Sequence, residues 1–476
     1  MAEIYDRARC LIDGEWLTPT GPVVHVVDPF TEMMIGEVAD AGAELVDTAV
    51  RSAESAHHHW CRTDVDERAQ VLDRAADLLE RDGEAIAALV SREMGMPISL
   101  ARVTQAQLPA SVMRATARSA RTFGWTQDID GATLLRRGSG VVGAITPWNM
   151  PVHQIVAKAA AAIAAGSTVV LKASEMTPYD AEALAGLFLE AGLPPGVFNV
   201  VTGVGPTTGA ALAGHHALAH MSFTGSVTAG RAVAELAGRG LTRCTLELGG
   251  KSPAVILPDA DLGAAVPGAI ASGLVNSGQA CNATTRLLVP RSMAGEIADR
   301  VRAAVAEHTP GDPSDQHTRQ GPLVSARQRD RVLEYITDAV DSGGELLTGS
   351  GKPYDGLPTG FFVEPTVIAG LDENARAVRE EIFGPVIVVQ TYTDLDDAVR
   401  IANDSAYGLS AEVWSEDTDG ARAVAARLDV GQVKINGVRT RNRPAVPFGG
   451  VKNSGYGREL GTLGIEEFTD VTAVMA

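Results

Sequence analysis

The chain is poor in cysteine, and the few it has are scattered. Only 4 occur in 476 residues, at Cys10, Cys61, Cys244 and Cys281. No pair has the C-x-x-C spacing, so neither a zinc site nor a disulfide framework is indicated, and no metal is expected. Isolated thiols fit a reducing, cytoplasmic setting. Basic residues are outnumbered as well: 40 Lys and Arg stand against 59 Asp and Glu, a net charge of −19. Such a chain has no general attraction for nucleic acid or for an anionic membrane. Long apolar runs are also missing. The stretch Ala157–Ala165 holds Lys158 and is too short to span a bilayer. The opening Met1-Ala2-Glu3-Ile4-Tyr5-Asp6-Arg7 lacks the basic-then-apolar pattern of a secretory signal. His57-His58-His59 reads as surface, because adjacent side chains do not share one helix face. No repeat, low-complexity block or long linker interrupts the chain.

What is present is ordinary globular material. Hydrophobic residues make up 45% and charged residues 21%, which places the chain among soluble proteins. Its length exceeds one ordinary core and predicts two or more domains. Val71, Leu72, Ala75, Ala76 and Leu79 recur at helical spacing, with Arg74, Glu80 and Arg81 left for a wet face. From Val141 the texture changes. Val141–Ile145 and Thr168–Leu171 read as buried strands. Thr177 and Pro178 open a helix that ends near Gly192. A strand at Val197–Val201, a helix at Thr207–Ala213, a strand around His220–Phe223 and a helix at Val227–Ala237 follow. Strict alternation of this kind predicts an α/β fold with a doubly wound parallel sheet, Rossmann-like in style. A second α/β region begins at Ser252–Leu257 and runs to about Gly449.

Several short stretches carry chemical potential. Asn276-Ser277-Gly278-Gln279-Ala280-Cys281 sets a cysteine in an uncharged loop. Leu246-Glu247-Leu248-Gly249-Gly250-Lys251 sets a lone carboxylate in an apolar strand. A thiol nucleophile with a separate base is the arrangement covalent catalysis needs. Asn149, in Ile145-Thr146-Pro147-Trp148-Asn149-Met150-Pro151, either caps a turn or offers an N–H donor to an oxyanion. Gly203-Val204-Gly205-Pro206-Thr207-Thr208-Gly209 misses the dinucleotide spacing G-x-G-x-x-G, and a tight strand-to-helix turn is the better reading. Phe223-Thr224-Gly225-Ser226 ends a strand and opens a helix, a place suited to a phosphate.

Together these stretches resemble the aldehyde dehydrogenase superfamily, in its NAD-dependent, hydrolytic branch. The likeness also includes Lys172-Ala173-Ser174-Glu175-Met176-Thr177-Pro178, Glu380-Glu381-Ile382-Phe383-Gly384-Pro385 and Pro447–Gly455, and it spans nearly the whole chain. The resemblance implies Cys281 as nucleophile, Glu247 as general base and Asn149 as oxyanion donor. It implies Lys172 and Glu175 on the adenosine ribose of NAD, Gly225 and Ser226 on the pyrophosphate, and Trp148, Glu381 and Phe383 elsewhere along the cofactor. Glu175 favours NAD over NADP, since a carboxylate repels a 2′-phosphate. Glu247 favours water over coenzyme A as acyl acceptor. The family layout divides the chain into a cofactor domain (1–120 and 139–249), a catalytic domain (250–449) and an oligomerisation arm (121–138 and 455–476). That arm would make a homodimer or homotetramer. Met150, Gln154 and Ala157 match pocket-lining positions and suggest a roomy tunnel. Arg439, Arg441 and Arg443 either meet a substrate carboxylate, lie exposed or bind a neighbouring subunit. The expected substrate is a medium-chain aliphatic aldehyde or an ω-oxo acid semialdehyde. A cysteine-dependent esterase without redox chemistry and a non-catalytic relative of the same fold are the alternatives.

Overall fold

The computed structural model describes residues 5–438 and 443–475. Its largest sheet has eight strands, and five of them form a parallel core. Across that core the order is Phe198–Val201, Thr168–Lys172, Val141–Ile145, Leu218–Thr224 and Arg243–Glu247. The chain therefore winds outward one way from Val141–Ile145 and then returns to wind the other way. Strands of this kind are covered on both faces, which is why Val141–Ile145 and Thr168–Lys172 are buried at every position. Ligands in open sheets bind at the carboxyl ends of strands where the winding reverses. Here that edge carries Thr146–Asn149, Lys172–Glu175, Thr224–Ser226 and Glu247.

The helices follow the sequence periodicity. Val65–Arg81 buries Val71, Leu72, Ala75, Ala76 and Leu79 on one face. Pro178–Glu190 starts with Thr177 at the cap position and Pro178 in the first turn, as the sequence predicts. Pro151–Ala165 buries nearly its whole surface, including Lys158, and stops at Gly166, whose φ of +87° suits glycine. Among the described residues no helix is long and apolar enough to cross a membrane. The segment Gly205–Gly209 is a short wide-turned helix leading into Ala210–Ala213. The Asp40 carboxylate fills its mouth, accepting from the Thr207 and Thr208 hydroxyls and, at 3.3 Å, from the Val204 amide. A Cβ on Gly203 would strike that carboxylate. The chain's own acid thus occupies the turn, in keeping with its reading as a strand-to-helix connection.

The second sheet has seven strands. Its parallel part runs Thr366–Ala369, Val386–Tyr392, Arg286–Pro290, Pro253–Ile256, Ser410–Trp414 and Gln432–Ile435. A separate three-stranded antiparallel sheet joins Thr126–Ile129, Ala132–Gly138 and Thr469–Met475. Ile129, Val471, Val474 and Met475 are exposed on it. The helix Gly461–Glu467 leads into that last strand. Gly455 and Tyr456, grouped with the arm by sequence, hydrogen-bond to Arg243–Glu247 at the edge of the large sheet.

Candidate active site

The cysteine loop is held in an unusual backbone shape. Asn276, Ser277 and Gly278 are successive left-handed residues, with φ of +51°, +58° and +71°. Three side chains of the loop fix it. The Asn276 amide donates to the Asn149 carbonyl at 3.0 Å, Ser277 Oγ donates to the Gly321 carbonyl at 2.8 Å, and Gln279 Oε1 accepts from the Val324 amide at 3.0 Å. Gly278 is required, since a Cβ there would lie 2.0 Å from the Gly384 oxygen. Strain of this order persists only where the surroundings enforce it. The enforced turn carries Cys281 to a cavity.

That cavity has a volume of about 330 Å³ and is walled by both α/β layers. Cys281, Asn149, Met150, Gln154 and Val275 line it, with Phe448 from the Pro447–Gly455 stretch and Arg443 from the preceding loop. Ala157 does not: it is buried in its helix, so only part of the expected tunnel wall is correct. Arg439 and Arg441 lie outside the described residues. Leu100, Thr104 and Leu108, from the helical first third, also reach the wall.

Asn149 is buried, and its side-chain amide donates to the Gln279 carbonyl at 2.9 Å. An amide NH₂ carries two hydrogens, so one N–H is left for a ligand beside Cys281. Cys281 as a whole residue is half-buried, and its sulfur receives a backbone N–H from Asn282. Burial pushes its thiol up to about 12, with the charges of Glu247, Glu381 and Glu459 adding to the shift. The thiol is therefore the resting form.

Glu247 ends its strand and is 1% exposed. Neither carboxylate oxygen has a hydrogen-bond partner among the described residues. Burial raises its pKa well above the ordinary range; Glu459 adds to this, while Lys158 and Arg458 oppose it. A Cβ on Gly449 would fall 2.7 Å from Glu247 Oε1, so that glycine makes room for the acid. Glu247 is not itself in the cavity wall, but Glu459 beside it is. Glu459 forms a buried ion pair with Lys158, and Lys158 donates to Thr224 Oγ1 at 2.7 Å. Thr224 in turn donates to Gln154 at 3.2 Å. Sequence reading missed Lys158 and Glu459 as site residues. The signal for Lys158 was a lone charge inside an apolar helix.

The residues expected to hold the cofactor sit past the strand ends at Lys172, Glu175, Gly225 and Ser226, and in the loop before the strand Val386–Tyr392. Lys172 Nζ and Glu175 Oε2 are 2.8 Å apart. Ser226 caps the helix Val227–Arg239, its Oγ accepting from the Ala229 amide at 3.2 Å. The Gly225 amide is already bonded to the Glu247 carbonyl at 3.0 Å, so Gly225 offers space rather than a donor. Glu381 Oε1 accepts from the Gly250 amide at 3.0 Å, and a Cβ on Gly249 would meet its other oxygen at 2.3 Å. Burial pushes Glu381 up to about 7. Trp148 and Phe383 meet edge to face, with ring centroids 5.5 Å apart, and Phe383 has φ of +63°. A carboxylate cradled over glycines, a paired lysine and an open helix start match the demands of ribose hydroxyls and a pyrophosphate. These groups fit a dinucleotide.

A doubly wound sheet, a strained cysteine loop and a buried acid define an oxidoreductase of the aldehyde dehydrogenase kind. Residues 16–474 match the Aldehyde dehydrogenase family, and the chain belongs to it. It is 42% identical, over 99% of its length and 98% of the other's, to a 3-succinoylsemialdehyde-pyridine dehydrogenase of a Pseudomonas species. Its fold is similar, at a TM-score of 0.96 and 42% identity, to that of aldehyde dehydrogenase C of Pseudomonas syringae in complex with NAD+ and octanal, covering 98% and 96% of the two chains. An aldehyde dehydrogenase of Mycobacterium tuberculosis complexed with NAD+ also superposes at 0.96, with 39% identity and coverage of 100% and 99%. The chain is an NAD-dependent aldehyde dehydrogenase. The esterase and non-catalytic alternatives fall away at the level of class.

Proposed function

We propose that the chain oxidises a medium-chain aliphatic aldehyde or an ω-oxo acid semialdehyde to the carboxylic acid through a covalent adduct on Cys281. The observation that carries this reading is the convergence of Cys281 and Asn149 on one cavity. Cys281 gives its proton to solvent, and its sulfur bonds to the aldehyde carbon as the C=O π bond opens onto oxygen. The free N–H of Asn149 and the Cys281 backbone N–H hold the resulting oxyanion. NAD+ supplies the hydride acceptor. Loss of hydride from the thiohemiacetal carbon leaves a thioester on Cys281. Glu247, once ionised, takes a proton from water, and the hydroxyl attacks the thioester to release the acid. Burial raises its pKa, which makes it a stronger base once ionised than an ordinary glutamate.

Lys172 and Glu175 would hold the adenosine ribose, and Glu381 with Phe383 the nicotinamide-side ribose. The helix start at Ser226, with Gly225 leaving room, would take the pyrophosphate, and Trp148 would support Phe383. Glu175 disfavours NADP. The exposed face of the three-stranded sheet would pair subunits as a homodimer or homotetramer.

The Arg443 side chain in the cavity wall, together with a roomy, largely apolar lining, supports the substrate class. Steady-state NADH formation with paired series of plain aldehydes and ω-oxo acids tests the proposal. Highest kcat/KM on either series at medium length is expected. Activity confined to short or aromatic aldehydes would refute it.

A further inference from the structure

The wall of the substrate cavity includes a lysine, paired with a buried acid, that the reaction does not use. Lys434 lies on the strand Gln432–Ile435 and is register-paired with Glu412 on Ser410–Trp414. The Glu412 side chain is fully buried, and Lys434 is 11% exposed. Glu412 Oε1 accepts from Lys434 Nζ at 3.2 Å and from Ser272 Oγ at 2.5 Å. Glu412 Oε2 has no hydrogen-bond partner among the described residues. Lys434, Ser272, Gln432 and Arg443 all line the same cavity as Cys281.

A buried ion pair in a cavity wall is expensive to desolvate and adds little stability over an apolar pair. It is explained if the ammonium has further work. An ammonium carries three N–H donors, and Glu412 engages one. The carboxylate beneath also pins Lys434 in place, so that the remaining donors are presented in a fixed direction. The charge balance of the wall points the same way. Glu459 is matched by Lys158, and burial pushes His153 down to about 4, leaving it neutral near pH 7. Lys434 is matched by Glu412, and Arg443 is unmatched among the described residues. Lys434 and Arg443 are thus the cations that this lining offers to a substrate carboxylate.

We infer that Lys434 is a specificity-determining residue that binds the distal carboxylate of an ω-oxo acid, with Glu412 setting its position and its strength. The inference rests on the substrate reading above and narrows it from two classes to one. Because Glu412 lies behind Lys434, the two residues act on the substrate anion with opposite sign.

The test compares kcat/KM for ω-oxo acids with that for plain aldehydes of the same length, in the intact enzyme with NAD+. Lys434→Met should lower the ratio of acid to plain aldehyde by about tenfold to a hundredfold, the range for a lost charge-assisted hydrogen bond. The change should appear in KM, with plain-aldehyde turnover kept within about threefold. Lys434→Arg should restore most of the ratio. Glu412→Gln should raise it by about threefold to tenfold, since it keeps the shape and removes a repelling charge. A purely structural pair would instead lose activity on both substrates in both variants, and that result overturns the inference. So does an unchanged ratio in Lys434→Met. An equal loss on an uncharged keto-aldehyde would show recognition of a neutral acceptor and also overturns it. If the wild type prefers plain aldehydes at every length, the ω-oxo reading fails. A fall in the ratio for Lys434→Met would then still establish Lys434 as the carboxylate contact.

Discussion

Asn149 donates its side-chain amide to the carbonyl of Gln279, two residues before Cys281. The Asn276 side chain closes the circuit by donating to the Asn149 carbonyl. The residue proposed to steady the oxyanion thus also braces the loop that presents the sulfur. Removing one oxyanion donor typically costs about 2.7–4 kcal/mol. Asn149→Ala should therefore lower kcat by roughly two to three decades. Stopped-flow measurement of the hydride-transfer step checks this, and wild-type rates would remove Asn149 from the mechanism.

In the enzyme without cofactor the thiol of Cys281 is held up to about 12, by burial first and then by Glu247, Glu381 and Glu459. Alkylation by iodoacetamide should be slow at neutral pH and climb steadily into the alkaline range, following the thiolate. NAD+, whose nicotinamide ring carries a positive charge, should accelerate it. Glu247→Gln should speed alkylation by about threefold to tenfold at alkaline pH, by removing a like charge. Mass mapping of the modified cysteine reads out both effects.

Glu175 is tied to Lys172 at 2.8 Å, which offsets part of its charge. Its repulsion of a 2′-phosphate belongs at the low end of the Coulomb range, about 1 kcal/mol or slightly more. Glu175→Ala should raise kcat/KM for NADP+ by about tenfold while weakening NAD+. Paired steady-state assays with the two cofactors check the sign.

Glu93 and Asp180 form a buried acid pair at the start of the helix Pro178–Glu190. Glu93 accepts the Tyr179 and Asp180 amides at 2.9 and 3.3 Å. Burial pushes both carboxyls well above their ordinary range, and the charge of Asp180 adds to the shift on Glu93. A raised carboxyl pKa means that the folded state holds the proton more tightly than the unfolded chain. The resulting stability is fully present below the unfolded pKa and is lost as pH rises through the folded one. Asp180→Asn should therefore raise Tm at alkaline pH, with a gain that shrinks toward acid. A pH series of thermal melts measures it, and a gain largest at acid pH would contradict the assignment.

Much of this arrangement is legible in the sequence because it is local. The strands Val141–Ile145 and Thr168–Lys172 announce themselves by β-branched continuity, and Cys281 and Glu247 by their glycine-rich settings. Other features depend on pairings that no window reveals. Lys158 and Glu459 are far apart in sequence yet share one buried ion pair. Lys434 and Glu412 become neighbours only through strand register. Gly455 and Tyr456 join the large sheet through a return of the chain at its far end. The filling of the Gly203–Gly209 turn by Asp40 is likewise a tertiary event. Ala157 failed as a tunnel residue because family position does not fix which face of a fully buried helix meets the cavity.

The central claim is that an acyl group rests on Cys281 until Glu247 directs water onto it. Rapid mixing of Glu247→Gln with NAD+ and a good aldehyde should give a burst of NADH close to one equivalent per site. A steady phase slowed by about 10²–10⁴-fold should follow, the range for losing a positioned base. Acid-quenched enzyme should carry the acyl mass on the peptide containing Cys281. A full-rate steady phase with no burst and an unmodified cysteine would contradict the account.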